Sequence, residues 1–566
     1  MASSHRPNEE DESLEDEPAL LDAAEAAEEI PSDPDEPMDY DPEDDTQEAE
    51  IQLQNDSRAH FDLHTDSIFT IAQHPLDPST IATGGGDDTT YIFSAETASP
   101  VLPTSYESNP SAGRPSLQPV AKLTGHTDSI NALIFTLPNA DYLLSGGLDG
   151  RLRAHSTKDN SYPLVAEAQE VPEINFLLPC PNPSYPNTIA LGASDGSVWV
   201  YTVDAADKVA PLQVIQAYYL HTESCTAGAW TPDGKMLATV SEDGSLYVWD
   251  VFGDASAAGV VGNAGSQAVV GLTNEDQRFA VEGGLFSIAV APGGAFAVVG
   301  GAGGMIRVVG LPRLAATSAS ASQGMKGGSS KNKGGGARKA GGAEGVGSGQ
   351  AGQILASLQA QGDSVETLAF STPPLTLLAA GNVDGSIMLF DTAHRFAVRR
   401  HIREAHEEFA VVKVEFVPGS RGYLLTSCGL DGVVRRWDTR GGTAASGQGL
   451  VQEWRGHRGE GEGGGVLGFM QGGGKRIVTA GDDGATNQIH HATLDLGLSL
   501  NVTSSPKDAL FSSPILPLGI KRDADWGQMG KGATEMKDTC GYPPGTGSRR
   551  KRVKDEEDDA GRTCEE

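Results

Sequence analysis

Along the middle of the chain, short stretches in which apolar and polar positions alternate with period two recur, as in residues 129–135, 224–230 and 364–370. Alternation at that period gives a strand with one face on a core and the other toward polar surroundings. After each such stretch comes a second apolar run that ends in a Gly/Asp turn. The turns are Thr83-Gly84-Gly85-Gly86-Asp87, Ser145-Gly146-Gly147-Leu148-Asp149, Leu191-Gly192-Ala193-Ser194-Asp195, Thr239-Val240-Ser241-Glu242-Asp243, Val299-Gly300-Gly301-Ala302-Gly303, Ala380-Gly381-Asn382-Val383-Asp384, Ser427-Cys428-Gly429-Leu430-Asp431 and Thr479-Ala480-Gly481-Asp482-Asp483. Six residues beyond each turn Asp, or its Gly303 replacement, stand Phe93, His155, Tyr201, Trp249, Val309, Phe390, Trp437 and Ile489. The pattern predicts a strand–turn–strand unit repeated eight times.

A single unit of this kind cannot bury both faces of its sheet, so the copies must pack on one another. Gly125-His126 and Gly456-His457, with Trp249-Asp250 and Trp437-Asp438, resemble the paired elements of the WD40 repeat family over roughly residues 50 to 495. The resemblance implies an all-β fold, a WD40 β-propeller of eight four-stranded blades around a channel. Seven blades are the alternative, because the fifth copy has lost its Asp, Ser and Trp together and the eighth is Gly-rich. The segment Glu50-Ile51-Gln52-Leu53-Gln54 is expected to pair with the last strand near Ile489 and close the ring, removing exposed sheet edges.

Charge changes the picture at the ends. The chain carries a net charge of −36, and residues 1 to 50 hold 21 acidic residues against Arg6 alone. Such a segment buries too little apolar surface to fold, so residues 1–49 read as a disordered acidic tail. The propeller is expected over residues 50–497, interrupted by a flexible Gly/Ser-rich insertion at 314–352 that carries Lys326, Lys331, Lys333, Arg338 and Lys339. Residues 498–566 read as a low-complexity tail, in which Arg549-Arg550-Lys551-Arg552-Val553-Lys554 is a candidate nuclear localisation signal. Five scattered cysteines without metal-ligand spacing, and no apolar run of membrane-spanning length, point to a soluble, intracellular protein, cytoplasmic with nuclear entry as an option. The acidic balance argues against direct nucleic-acid or membrane binding, and a monomer is expected.

His126, Ser145 and Asp149 have the composition of a hydrolase triad. The pattern repeats at His64 with Thr83 and Asp87, and at His221 with Thr239, Asp243 and Trp249. Repetition suits stability, whereas catalysis needs one copy. The family resemblance assigns these positions, with Asp431 and Trp437, to a structural hydrogen-bond network. His490-His491 would point to opposite strand faces, which excludes a two-histidine metal site there. No phosphate loop is found, so no cofactor, no metal and no catalytic residue are assigned, and the protein is not expected to be an enzyme.

Function is therefore expected on loops at one end of the barrel. Counting three and five residues beyond the Gly-His histidine, and one before the turn Asp, the repeat places Glu173, Glu242, Glu366 and Asp482 there among Asn131, Asn175 and Thr226, with no Lys or Arg. Asp66, Asp128, Glu223, Glu407 and Glu408 lie on the same loops. Separated carboxylates without compensating bases suit successive Lys and Arg side chains of an extended peptide. The acidic N-terminus, His64-Thr65-Asp66-Ser67-Ile68 and Leu123-Thr124-Gly125-His126-Thr127-Asp128-Ser129-Ile130 are similar to one WD40 branch. It contains the angio-associated migratory cell protein and its fungal counterpart, a ribosome-assembly chaperone. That resemblance implies a dedicated chaperone for the basic N-terminal segment of a large-subunit ribosomal protein of the L-sixteen family, kept soluble until it joins the pre-60S particle. The alternative is a generic WD40 scaffold for protein–protein interaction in signalling or ubiquitin transfer.

Overall fold

In a computed structural model of the protein, the described residues are 55–96, 115–260, 268–314, 350–359, 362–441, 449–457 and 464–490. Both tails, most of the basic insertion and His491 lie outside them. Thirty-two strands form eight four-stranded antiparallel sheets, which settles the blade number at eight. The first strands of the blades are Ile68–Gln73, Ile130–Phe135, Ile174–Pro179, Cys225–Trp230, Leu285–Val290, Val365–Phe370, Val411–Phe416 and Val466–Met470. Each packs against the first strand of the next blade, and the eighth packs back against the first. In the first seven blades the following strands are added outward in sequence order.

The eighth blade takes its outer strand from the start of the chain. Ala59–Phe61 pairs antiparallel with Thr486–His490, with Ala59 opposite Gln488 and Phe61 opposite Thr486. The closing strand is therefore Ala59–Phe61, and the expected residues 50–54 lie outside the described residues. Sequence alternation favoured the earlier segment, but Ala59 and Phe61 are the side chains that enter the core, each with 0% exposure. Two more contacts draw the seam together: Ser67 Oγ donates to Asp482 Oδ1 at 2.5 Å, and an Arg476 guanidinium nitrogen donates to the Ala95 carbonyl at 2.9 Å.

The turn Asp has a local task in seven blades. Its Oδ1 accepts the backbone N–H two residues on, as in Asp149 to Arg151 (3.0 Å), Asp195 to Ser197 (2.9 Å) and Asp384 to Ser386 (2.9 Å). This side-chain-to-backbone bond stabilises the tight turn. The next residue takes a left-handed conformation, and it is glycine at Gly150, Gly196, Gly244, Gly385, Gly432 and Gly484. A second reason for glycine is the neighbouring blade. A Cβ on Gly385 would fall on the carbonyl oxygen of Glu407, and one on Gly196 would lie 2.6 Å from that of Glu223.

Beneath the turns the blades use two interchangeable solutions. In blade 7, His406 bridges Asp431 (2.9 Å) and the Ser427 hydroxyl (2.7 Å), to which the Trp437 indole N–H donates at 2.9 Å. All four are buried. Blade 5 replaces the same positions with Val281, Val299 and Val309 inside one apolar cluster, and blade 3 does so with Val171, Leu191 and Tyr201. A buried polar network and a well-packed apolar group of similar volume stabilise comparably, provided neither is left half-made. The fifth copy thus remains a complete blade although it lacks the motif residues.

Asp431→Ala strips His406 and Arg435 of their buried carboxylate and should cost about 3–5 kcal/mol in equilibrium urea unfolding. Asp195→Ala, in the apolar blade 3, should lose only the turn bonds, about 1 kcal/mol. Gly385→Ala should cost about 1–3 kcal/mol, more than Gly253→Ala, whose equally left-handed backbone has open space around it.

Candidate functional site

One backbone hydrogen bond recurs in all eight blades at the end of the barrel that carries the Asp turns. The N–H of the residue before the turn Asp donates to a carbonyl just ahead of the first strand: Gly86 to Ser67, Leu148 to Ser129, Ser194 to Glu173, Glu242 to Ser224, Ala302 to Gly284, Val383 to Ser364, Leu430 to Ala410 and Asp482 to Gly465, at 2.8–3.2 Å. Two residues beyond each acceptor, the first strand has a β-bulge. The bulged residues are Phe69, Asn131, Asn175, Thr226, Phe286, Glu366, Val412 and Leu467. A bulge leaves its extra residue outside the ladder and re-aims its side chain. Donor, acceptor and bulge together define three face positions per blade, and none of them is Lys or Arg.

The residues expected at those positions are there. Glu173 and Glu242 sit exposed on blades 3 and 4, with Glu223 exposed on the loop between them. Asp128, Glu407 and Glu408 are exposed on the loops entering blades 2 and 7. None of these six carboxylates has a Lys or Arg partner within ion-pair distance among the described residues. Asp66 and Asp128 are partly used locally, each accepting the N–H of the following Ser at 2.8 and 2.7 Å. Asp482 is committed to the blade 8 to blade 1 seam through Ser67 and is less available than its sequence position suggested. Asn175 and Thr226 also have structural tasks, donating to the Cys225 and Leu285 carbonyls of the next blade at 2.9 and 2.7 Å.

Glu366 differs from the other acids. It is the bulged residue of blade 6, partly buried and without a hydrogen-bond partner among the described residues. Burial, reinforced by the nearby Asp363 carboxylate, pushes its carboxyl up to about 7. Asp363 and the exposed Glu282, on the loops entering blades 6 and 5, extend the acidic rim. Sequence reading named neither, because both stand outside the three counted positions of their blades.

The histidine constellations lie under this face. His126 contacts Asp149 at 3.1 Å and the Ser145 hydroxyl at 2.9 Å, and all three are largely buried beneath the loops. The same arrangement recurs at His64, with Asp87 and Thr83 at 3.0 Å, and at His457, with Asp483 at 2.9 Å and Thr479 at 2.7 Å. His221 departs from expectation. Its Nδ1 meets the Ser245 hydroxyl at 2.6 Å while Asp243 stands 4.0 Å away, and Asp243 instead accepts the Thr222 N–H. His406, the partner of Asp431, escaped sequence reading because Ala405 replaces the usual glycine before it. Among the described residues, no three His, Cys, Asp or Glu side chains are grouped to hold a metal.

Comparison with known proteins agrees with this geometry. The family model described as WD domain, G-beta repeat matches residues 117–156 and 212–250. The chain is similar to the crystal structure of Sqt1 from Chaetomium thermophilum, at 52% identity and a TM-score of 0.64, covering 77% of this chain and 98% of that one. It is equally similar to that protein bound to the N-terminus of the ribosomal protein L10, at 51% identity, 77% and 100% coverage and the same TM-score. The ribosome assembly protein SQT1 of Saccharomyces cerevisiae is 28% identical over 216 residues, 37% of this chain and 45% of that protein's length. Human angio-associated migratory cell protein is 22% identical over 408 residues, 72% of this chain and 74% of that one. With eight blades and 52% identity to Sqt1 of Chaetomium thermophilum over 98% of that structure, the chain belongs to the WD40-repeat family, in its Sqt1 branch.

Proposed function

We propose that the protein is a non-catalytic carrier for a newly made, basic large-subunit ribosomal protein, whose N-terminal segment it holds on the acidic turn face until delivery to the pre-60S particle. The observation that carries this reading is the set of exposed carboxylates Glu173, Glu223 and Glu242, spread over adjoining blades with no cation paired to them among the described residues. Such groups are fully hydrated when free and gain charge-assisted hydrogen bonds when guanidinium or ammonium groups arrive. The bound segment in the related Sqt1 structure supports the choice of client class. In its finer form the proposal keeps the L-sixteen family as the client and the cytoplasm, with nuclear entry, as the place of action. A ribosomal protein away from its RNA is a dense cation that associates with any polyanion it meets, and an acidic platform substitutes for RNA in the interval.

A non-catalytic role fits the burial of Ser145, whose hydroxyl is engaged by His126 beneath the loops and offers no approach for a substrate.

The first test is calorimetric titration of the full chain with the N-terminal peptide of ribosomal protein L10, and separately with that of an L-sixteen-family member. Affinity should fall steeply as salt rises. Glu173→Lys with Glu242→Lys should weaken it at least about tenfold, because like charges then face the peptide. Binding indifferent to both salt and charge reversal would overturn the reading.

Glu366 provides a second, pH-based test. An acid whose carboxyl is held near 7 is substantially protonated at neutral pH, and an arriving cation favours its ionised form. Binding near pH 7 should therefore release a fraction of a proton, seen as a dependence of the measured heat on buffer ionisation enthalpy. Glu366→Gln should abolish that dependence. The sign for stability is also fixed: the folded chain binds more protons here than the unfolded one between the ordinary glutamate value and about 7. Stability from this group therefore falls as pH rises through that window, and Glu366→Gln should remove the decline.

A further inference from the structure

The registered face positions divide the ring into two unlike sectors. Blades 2 to 4 contribute Ser129, Asn131 and Leu148, then Glu173, Asn175 and Ser194, then Ser224, Thr226 and Glu242. Blades 7, 8 and 1 contribute Ala410, Val412 and Leu430, then Gly465, Leu467 and Asp482, then Ser67, Phe69 and Gly86. In this second sector the two polar side chains are Asp482 and Ser67, and they are hydrogen-bonded to each other at 2.5 Å. Elsewhere the bulge position carries inter-blade hydrogen bonds through Asn175 and Thr226. Here it is apolar in three successive blades.

The sector is not sealed. Phe69 and Leu430 are only partly buried, and Phe409, on the loop entering blade 7, is 37% exposed. Val412 and Leu467 are more buried, at 8% and 6% exposure. Acids border it: Asp66 beside Phe69, and Glu407 and Glu408 just ahead of Phe409. An apolar patch with a carboxylate margin is complementary to a segment in which an apolar side chain stands between basic ones. A purely basic segment would leave this patch wet and gain nothing from it.

Building on the proposed client reading, we infer that the sector formed by Phe69, Leu430, Leu467 and Val412 receives one apolar or aromatic side chain of the bound basic segment. The face then selects a basic segment with an apolar anchor and discriminates against lysine- or arginine-rich chains that lack one. The acidic sector supplies attraction and long-range steering, and the apolar sector supplies the distinction among clients. A carrier dedicated to one ribosomal protein needs such a distinction, because all of its competitors are equally cationic.

The test uses the full chain and two sets of fluorescent peptides equal in length and net charge. Both contain the same arginines. In one set a leucine or tyrosine is scanned through the intervening positions, and in the other those positions are serine. The inference expects at least one anchored peptide to bind about tenfold or more tightly than its serine counterpart, as burial of one apolar side chain provides. The advantage should persist as salt rises, although both affinities decline. Phe69→Ser and Leu430→Ser should each reduce the advantage, whereas Glu173→Lys should weaken both peptides and leave their ratio unchanged. Equal affinity of anchored and serine peptides at every position overturns the inference while the cationic reading stands. Failure of both sets to bind a folded chain overturns both.

Discussion

The structure depends on the backbone hydrogen bond that ties each Asp turn to the loop entering the same blade's first strand. It is made eight times with the same partners in the repeat, from Gly86 and Ser67 in the first blade to Asp482 and Gly465 in the last. Being a main-chain bond, it does not require a particular side chain, which is why it survives in blade 5 where Asp, Ser and Trp are all gone. It ties together the first two strands, stands two residues ahead of a bulge in every blade, and brings three residues per blade to one end of the barrel. The positive-φ glycine that follows the Asp lets that turn sit against the neighbouring blade. Repeat geometry and blade-to-blade contact are thereby set by one local arrangement.

Side chains are free to vary above and below that frame, and they vary for different reasons. Below it, the His–Asp–Ser–Trp network and its valine replacements are alternative fillings of the same buried volume. Each is stable because it is complete. Above it, some polar residues are committed to closure or to the next blade: Asp482, Asn175 and Thr226 hold the ring together. What is left over is a set of carboxylates on blades 3 and 4 without an ion-pair partner among the described residues, and an apolar sector on blades 7, 8 and 1. The chain's strong negative charge gives no hint of this partition, since charge density is a property of composition and the partition is a property of register.

Glu366 shows how the same side chain changes meaning with its place. On a loop it would be one more hydrated anion. At a bulge in the innermost strand it loses solvent, feels the charge of Asp363, and becomes an acid poised near neutrality.

The sequence by itself determined the all-β repeat, the eight turns and the glycine and aspartate roles in them, and it pointed to the loops at one end of the barrel as the acidic ones. These are legible because period-two alternation and turn chemistry are local, and because eightfold repetition averages out the exceptions. Tertiary structure decided the rest. It moved the closing strand from residues 50–54 to Ala59–Phe61, since only the assembled core shows which alternating side chains find an unfilled space. It gave Asp431 the partner His406, which no local marker announces, and withdrew Asp243 from His221. It separated the acids that hold the ring from those that are free to meet a partner, because that distinction rests on contacts between residues hundreds of positions apart, such as Ser67 and Asp482, which come together only when the ring closes.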